Sequence, residues 1–206
     1  MNITVEPSPA LYLALQKRLR EMGKSDYAKE VMRKAIRETA KAVKEELHSG
    51  ARTLYTIKRG AFKKSDIKVT NPTKNQLRAI LEVEGEPLAL KASYQNRKNG
   101  KKKAASALIK AGGNMKELKL ESGGRTYKAF VATMTNVSKD GKESEHVGIF
   151  QRVPGKYMKK NPHKEAIRQI YAPAKSKAAE GAYGEMDVKG ELSYRLHKHM
   201  NAMMGG

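Results

Sequence analysis

The stretch "SDYAKEVMRKAIRETAKAVKEELHSG", residues 25–50, carries the clearest structural signal in the chain. Ser25 and Asp26 are typical of a helix start, and apolar residues then recur at steps of three and four. These residues are Ala28, Val31, Met32, Ala35, Ile36, Ala40, Val43 and Leu47. The period places all of them on one face, so we predict a long amphipathic helix from about Asp26 to Leu47, ending before "HSG". A shorter helix is predicted before it, opened by Ser8-Pro9 and stopped by Gly23.

Beyond this helix the hydrophobic period changes from that of a helix to that of a strand. "DIKVTN" (66–71) and "LRAILEVEG" (77–85) alternate in steps of two, which predicts a hairpin or two neighbouring strands. "ELKLESGGRTYKAFVATMT" (117–135) predicts a second hairpin that turns at Ser122-Gly123-Gly124. "HVGIFQRV" (146–153) predicts one more strand, closed by a tight turn at Pro154-Gly155.

The end of the chain is expected to be helical. Asn161-Pro162 is typical of a helix start, so we predict a helix over "NPHKEAIRQIY" (161–171), interrupted by Pro173 and folded back over the sheet. Leu192, Leu196, Met200 and Met203 have the spacing of a final amphipathic helix. The predicted fold class is α+β: N-terminal helices, a mainly antiparallel sheet and C-terminal helices. We expect an N-terminal helical segment, residues 1–53, and an α+β body, residues 54–206, that together form one structural unit.

Charge is the strongest functional signal. The 206 residues include 42 Lys and Arg against 21 Asp and Glu, a formal net charge of +21, which favours a polyanionic partner such as nucleic acid or an acidic protein surface. The chain has no cysteine, which excludes disulfides and thiolate chemistry. No run of about 20 apolar residues and no secretory signal is present, so we expect synthesis in the cytoplasm and no membrane partner.

Residues that could carry catalysis are not arranged for it. The five histidines lack the spacing of a helical zinc motif, and Glu82, Glu84 and Glu86 alternate along one predicted strand as solvated partners of neighbouring lysines. We therefore expect no enzymatic activity, no cofactor and no metal site.

The composition also suits a basic nucleic-acid-binding protein of ribosomal or chromatin type, and this alternative stays open. Against it, aromatic residues make up only 6% of the chain, and the charge is spread over every predicted element rather than gathered on one recognition helix. Such a distribution favours sequence-independent contact with backbone phosphate.

Three segments together resemble one known family. They are "AKEVMRKAIRETAKAVKEELHSGARTLYTIKRGAFKKSDIKV" (28–69), "LRAILEVEGEPLALKASY" (77–94) and "HVGIFQRVPGKYMKKNPHKEAIRQIYAPAKSKAA" (146–179). In order and spacing they are similar to the minor tail protein Z family of lambda-like phages: a long alanine-rich helix, then Tyr-x-Ile-Lys, then an alternating strand, and a C-terminal signature of aromatic-x-Arg followed by a Gly-Lys turn. The family signature continues with basic residues and then Pro-Ile-x-x-x-(Tyr or Val)-x-Pro. The chain departs from it in having Ala166-Ile167 in place of Pro-Ile, and Ala172-Pro173 where relatives often have Gly-Pro.

The resemblance implies a structural virion protein, a tail completion component at the tail or the head–tail junction. It implies a homo-oligomeric ring around the DNA channel, for which six copies is one arrangement. The ring is expected to contact other tail or neck proteins. It is also expected to contact genomic DNA independently of sequence and to help position the genome end.

Two sets of residues are candidates for these contacts. The segment "RKNGKKK" (97–103) breaks all periodicity and is predicted to be an exposed loop whose Arg97, Lys98, Lys101, Lys102 and Lys103 face DNA, or else solvent or an acidic neighbour. Arg152, expected to leave the sheet at its end, and Tyr171 are predicted to lie at a subunit interface, because Arg and Tyr are enriched there.

Overall fold

A computed structural model of the chain describes residues 1–99, 104–138, 140–159 and 161–204. They form an α+β structure with N-terminal helices, antiparallel sheets and C-terminal helices, which confirms the predicted fold class. The α-helices among them are α1 (Pro9–Glu21), α2 (Ala28–Leu54), α3 (Leu90–Ser93), α4 (Lys175–Tyr183) and α5 (Val188–Met204). The strands are β1 (Asn2–Val5), β2 (Ile67–Thr70), β3 (Ala79–Val83), β4 (Leu88–Ala89), β5 (Gln95–Arg97), β6 (Ser106–Leu108), β7 (Lys116–Glu117), β8 (Lys119–Ser122), β9 (Arg125–Lys128), β10 (Phe130–Val137), β11 (Glu143–Met158), β12 (Asn161–Gln169) and β13 (Tyr171–Ala172).

The chain divides into two compact units. The helical unit comprises Met1–Ala51, Lys63–Gly85 and Ala179–Gly206, and the β-rich unit comprises Arg52–Phe62 and Glu86–Ala178. Neither unit is continuous in sequence, and residue 53 lies in the last turn of α2.

Helix α2 buries its predicted stripe. All eight apolar residues named from the sequence are at most 4% exposed, and Ile36, near the middle, is 0% exposed. The predicted end before "HSG" was wrong, because the helix continues to Leu54. The Ser49 hydroxyl donates to the Glu45 carbonyl at 2.9 Å and so stays within the helix, while a Cβ at Gly50 would lie 3.0 Å from the Cβ of Ala182. Gly50 therefore serves a close approach to α4 and not a helix stop.

The two flanking helices of the helical unit follow the predicted signals. The Ser8 hydroxyl accepts a hydrogen bond from the Leu11 amide at 3.2 Å, and Gly23 ends α1 with a φ of +67°. In α5, Leu192, Leu196 and Met200 are buried as predicted. Polar contacts add to the packing of α5: Arg195 Nη1 lies 3.4 Å from Glu38 Oε2 on α2, and His199 Nε2 lies 3.2 Å from Glu38 Oε1.

A three-stranded antiparallel sheet of order β1-β3-β2 completes the helical unit. The predicted pairing of residues 66–71 with 77–85 is confirmed by the β2–β3 ladder. Strand β1 was not predicted; it buries Ile3 and Val5 and pairs with β3.

The sheet of order β10-β11-β12 is the largest in the β-rich unit. The predicted hairpin at 117–135 is confirmed for residues 119–128, which form β8 and β9 with positive φ at Gly123 and Gly124 in the turn. The remainder of the predicted returning strand, from Phe130, belongs to β10 and pairs with β11 instead. In β11, Ile149 is 0% and Phe150 6% exposed, so both faces of the strand are covered there.

The predicted turn at Pro154-Gly155 was wrong. Strand β11 continues to Met158, and Arg152, which was expected to leave the sheet, stays in the ladder opposite Ile167. Between the pairs Arg152–Ile167 and Tyr157–Glu165, residues 153–156 of β11 stand opposite Ala166 alone. Pro154, which has no N–H, and Gly155, with a φ of +69°, therefore form a bulge inside a continuing strand.

The predicted helix over residues 161–171 was also wrong, because residues 161–169 form β12. The Asn161 side-chain oxygen accepts a hydrogen bond from the His163 amide at 3.2 Å, two residues on, which is an Asx turn and not a helix cap. Pairing with β11 then holds the segment as a strand, and Ile167 lies in this ladder instead of folding back over the sheet as predicted.

The buried side chain of Tyr94 makes the stability of the β-rich unit depend on pH. Its side chain is 0% exposed, and its hydroxyl donates to the Pro173 carbonyl at 3.1 Å. Burial, and secondarily the neighbouring Tyr55, raises the pKa of Tyr94 from 10.0 to about 12. In the folded state the neutral phenol is favoured, so the stability that Tyr94 contributes is complete below about pH 10 and is lost as pH rises through about 12.

We expect a Tyr94→Phe variant to lose about 1 kcal/mol at neutral pH, the usual contribution of one hydrogen bond, and to lose less further stability between pH 10 and 12 than the unmodified protein. Urea unfolding at pH 8 and pH 11.5 measures both effects, and the unmodified protein controls for the lysines that titrate in the same range. Parallel pH profiles would mean that Tyr94 ionises as readily in the folded chain as in the unfolded one.

Candidate nucleic-acid interface

Positive charge is concentrated in one of the two compact units. The β-rich unit contains 24 Lys and Arg against 7 Asp and Glu, a net charge of +17, whereas the helical unit contains 18 against 14, a net charge of +4. Cations occur in both units, and the difference in net charge comes as much from the acidic residues, 14 in the helical unit against 7 in the β-rich unit. The β-rich unit is the part whose field favours a polyanion.

The structure describes two of the five cations predicted to face DNA. Arg97 is exposed at the end of β5, opposite Ser106 of β6, and Lys98 follows it, also exposed. Lys101, Lys102 and Lys103 lie outside the described residues. The amide of Asn99 donates to the Ala104 carbonyl at 2.5 Å and to Ser106 Oγ at 2.6 Å, so the chain on both sides of the segment is anchored to buried residues.

The two residues predicted at a subunit interface are both exposed and lie in different ladders. Arg152 Nη1 donates to the Glu165 carbonyl at 3.3 Å across the β11–β12 ladder. Tyr171 is 56% exposed in β13, which pairs with β4. Their role at an interface stays a prediction.

Tyr171 lines an open hollow that the sequence did not indicate. Its lining consists of Leu118, Lys119, Gln151, Arg168, Gln169, Ile170 and Tyr171, and does not include Arg152. The Gln151 amide is committed to the Tyr127 carbonyl at 2.8 Å, and Lys119 Nζ lies 2.5 Å from Glu117 Oε2, which raises the pKa of Lys119. Of the two cations that line the hollow, Lys119 is paired with Glu117 and Arg168 is not part of that ion pair. The hollow therefore presents one exposed aromatic ring, Tyr171, and one further cation, Arg168, on the β-rich unit.

Beyond Arg152, β11 and β12 form an arm, which we define as residues 153–159 and 161–166. Residues 155–158 of β11 and Lys159, which follows the strand, are all exposed, and so are residues 162–164 of β12. Because neighbouring residues of a strand face opposite sides, a run of exposed residues means that neither face of the arm packs on the protein. The pairs Tyr157–Glu165 and Met158–Asn161 close the arm.

The arm combines cations with exposed apolar side chains. The sequence from Arg152 to Lys164 contains five Lys and Arg and no Asp or Glu, and one of the five, Lys160, lies outside the described residues. Tyr157 is 58% and Met158 41% exposed. Sequence reasoning missed the arm because it placed a turn and a helix here, although the acid-free run of cations was visible.

Other classes of site find little support in the described ranges. These ranges contain no group of three or more His, Asp or Glu placed to hold a metal ion. Glu84 Oε1 lies 3.5 Å from Lys68 Nζ with both side chains exposed, so Glu84 is a solvated partner of a lysine, as predicted. In the same part of the chain, no helix combines the length and the apolar composition needed to cross a bilayer.

No protein-family model, curated protein or solved structure matches the chain.

Proposed function

We propose that the chain is a structural protein of a phage virion, a minor tail or tail completion component at the tail or the head–tail junction. It assembles there as a homo-oligomeric ring around the DNA channel, contacts neighbouring tail or neck proteins and helps to position the genome end. The proposal starts from the resemblance of residues 28–69, 77–94 and 146–179 to the minor tail protein Z family.

The observation that carries the proposal is the unequal charge of the two units. A subunit of a DNA-lined ring needs a surface that tolerates phosphate and other surfaces that meet protein. One unit has a net charge of +17 and the other of +4, so the first suits contact with phosphate and the second suits contact with protein.

Free sheet edges also suit a subunit that assembles with copies of itself. In the described residues β10 and β12 each pair on one side only, so each exposes backbone N–H and C=O groups along its outer edge. Such edges are ready sites for pairing with another chain.

The concentration of charge also favours the second candidate, a basic nucleic-acid-binding protein of ribosomal or chromatin type. The two candidates differ in what the protein does without nucleic acid. A ring subunit self-associates or binds tail components, whereas a ribosomal or chromatin-type binder acts through its nucleic acid.

The distinguishing experiment is purification in moderate salt followed by sedimentation and electron microscopy. We expect closed oligomers, or complexes with tail proteins, without a stoichiometric amount of RNA. Mass spectrometry of purified virions should then find the chain in far fewer copies than the major tail protein. A monomer that forms a tight, sequence-specific nucleic-acid complex would overturn the proposal in favour of the second candidate.

A further inference from the structure

The arm formed by β11 and β12 has the size of a groove-binding element. A fully extended run of five residues spans at most about 16 Å, and residues 155–159 are shorter than this because of the bulge at Gly155. The major groove of B-DNA is about 12 Å wide and admits a two-stranded ribbon. Because residues on both of its faces are exposed, the arm could enter a groove without unfolding any packed part of the β-rich unit.

Bulges on the two strands place cationic side chains away from the regular ladder. Lys156 lies in the bulge of residues 153–156 on β11. Residues 162–164, which include His163 and Lys164, stand between the pairs Met158–Asn161 and Tyr157–Glu165, where β11 contributes no residue. A bulge re-aims the side chains that it carries, so Lys156 and Lys164 are free to point outward from the ribbon.

The one carboxylate of the arm is already engaged. Glu165 Oε1 accepts a hydrogen bond from the Tyr127 hydroxyl at 3.0 Å, and Glu165, which stands opposite Tyr157 in the ladder, is half-buried. The exposed part contains Lys156, Lys159 and Lys164 around the exposed ring of Tyr157. Cations interleaved with an aromatic ring provide a contact for phosphate and a non-ionic contact for base or sugar.

We propose that this arm is a DNA-binding ribbon that lies in a groove of duplex DNA. Lys156, Lys159 and Lys164 contact backbone phosphates on either side of the groove, and the Tyr157 ring packs against the groove floor. The arm carries no rigid set of donors for base edges, so it positions the duplex without reading its sequence. The inference rests on the proposed function only in taking duplex DNA as the partner.

The test measures binding of the full-length protein to several 30-base-pair duplexes of different sequence, over a range of salt. In the variant Lys156→Gln/Lys159→Gln/Lys164→Gln we expect the affinity at 0.1 M salt to fall on the order of 100-fold, equally for all duplexes. The slope of log affinity against log salt should fall by about 2 to 3, since each phosphate contact contributes about 0.9. The matched control, Lys29→Gln/Arg37→Gln/Lys41→Gln, removes three exposed cations from α2 in the helical unit and should change both values little.

Tyr157 is tested separately because its contact is not ionic. Tyr157→Ser should lower affinity about tenfold with an unchanged salt slope, and Tyr157→Phe should restore it. Tyr157 is exposed, so circular dichroism and Tm of both variants should match those of the unmodified protein. Photocrosslinking to a duplex that contains 5-bromodeoxyuridine should map to the peptide that carries Tyr157.

Three results would overturn the inference. The first is an equal loss in the lysine variant and its control, which would leave net charge alone as the cause. The second is a single strand that binds as tightly as the duplex, because a ribbon needs a groove. The third is loss of self-association with unchanged DNA affinity, which would make the arm a clasp for a second copy. These measurements do not require ring assembly, so a negative result contradicts the DNA-binding arm and not the proposed virion role. Absence of the protein from virions contradicts the virion role and not the DNA-binding arm.

Discussion

An Ile36→Asp variant is expected to be largely unfolded at room temperature. Ile36 is 0% exposed near the middle of α2, where the described residues on the buried face of the helix include no charged side chain and one polar side chain, Thr39. A buried unpaired charge costs several kcal/mol even when the group takes up a proton instead, and a domain is stable by only about 5 to 15 kcal/mol in total. Urea unfolding followed by circular dichroism measures the loss directly.

The adjacent residue supplies the control. Arg37 lies on the exposed face of α2, so Arg37→Asp introduces the same side chain one position away and should change the free energy of unfolding by no more than about 0.5 kcal/mol. Val31, 4% exposed on the same stripe as Ile36, should behave like Ile36 when replaced by aspartate. Normal stability of both stripe variants would show that the stripe is open in the isolated chain and is covered only by a partner.

The helices were predictable because their signals are local. The Ser8 cap, the Gly23 stop and the apolar stripe of α2 each act within a few residues, and the structure contains all three. The error at the end of α2 has a different origin. The sequence predicts an end before residues 48–50, but Gly50 faces Ala182, which lies far away in sequence.

The strands were less predictable because their partners are distant. Strand β1 has four residues and is defined by pairing with β3, about 80 residues later. Ile167 and Ile170 are spaced as on a helix and follow an Asn-Pro pair, yet Ile167 pairs with Arg152 of β11, and the Ile170 amide donates to the Ile149 carbonyl at 2.8 Å. Tertiary context overrides local preference most easily in such short segments.

The candidate interface was predictable in composition but not in position. The 42 cations can be counted in the sequence, but 24 of them lie in one compact unit only because residues 52–62 pack with residues 86–178. The arm is a similar case. Its acid-free run of cations is a sequence feature, whereas its exposure on both faces follows from a ladder that the sequence did not indicate.

The largest solution effect that we expect is a difference between the two units in the salt dependence of DNA binding. Arg97, Lys98, Lys110 and Lys116 are exposed cations of the β-rich unit outside the arm. Replacement of all four by glutamine removes up to four phosphate contacts, each contributing about 0.9 to the slope of log affinity against log salt. Between 50 and 200 mM salt the unmodified protein should therefore lose up to about 100-fold more affinity than this variant.

A second variant holds the lost charge constant and changes only its place. Lys29, Arg33, Arg37 and Lys41 lie on the polar face of α2 in the helical unit, and their replacement by glutamine removes the same four charges. If DNA meets the β-rich unit, this variant keeps most of the salt slope of the unmodified protein, because counterions are released only where phosphate is contacted. Equal slopes in the two variants would mean that DNA senses the net charge of the chain and not the surface of one unit. Since all eight positions are surface cations, a difference in slope without a difference in Tm would place the phosphate contacts on the β-rich unit independently of the arm.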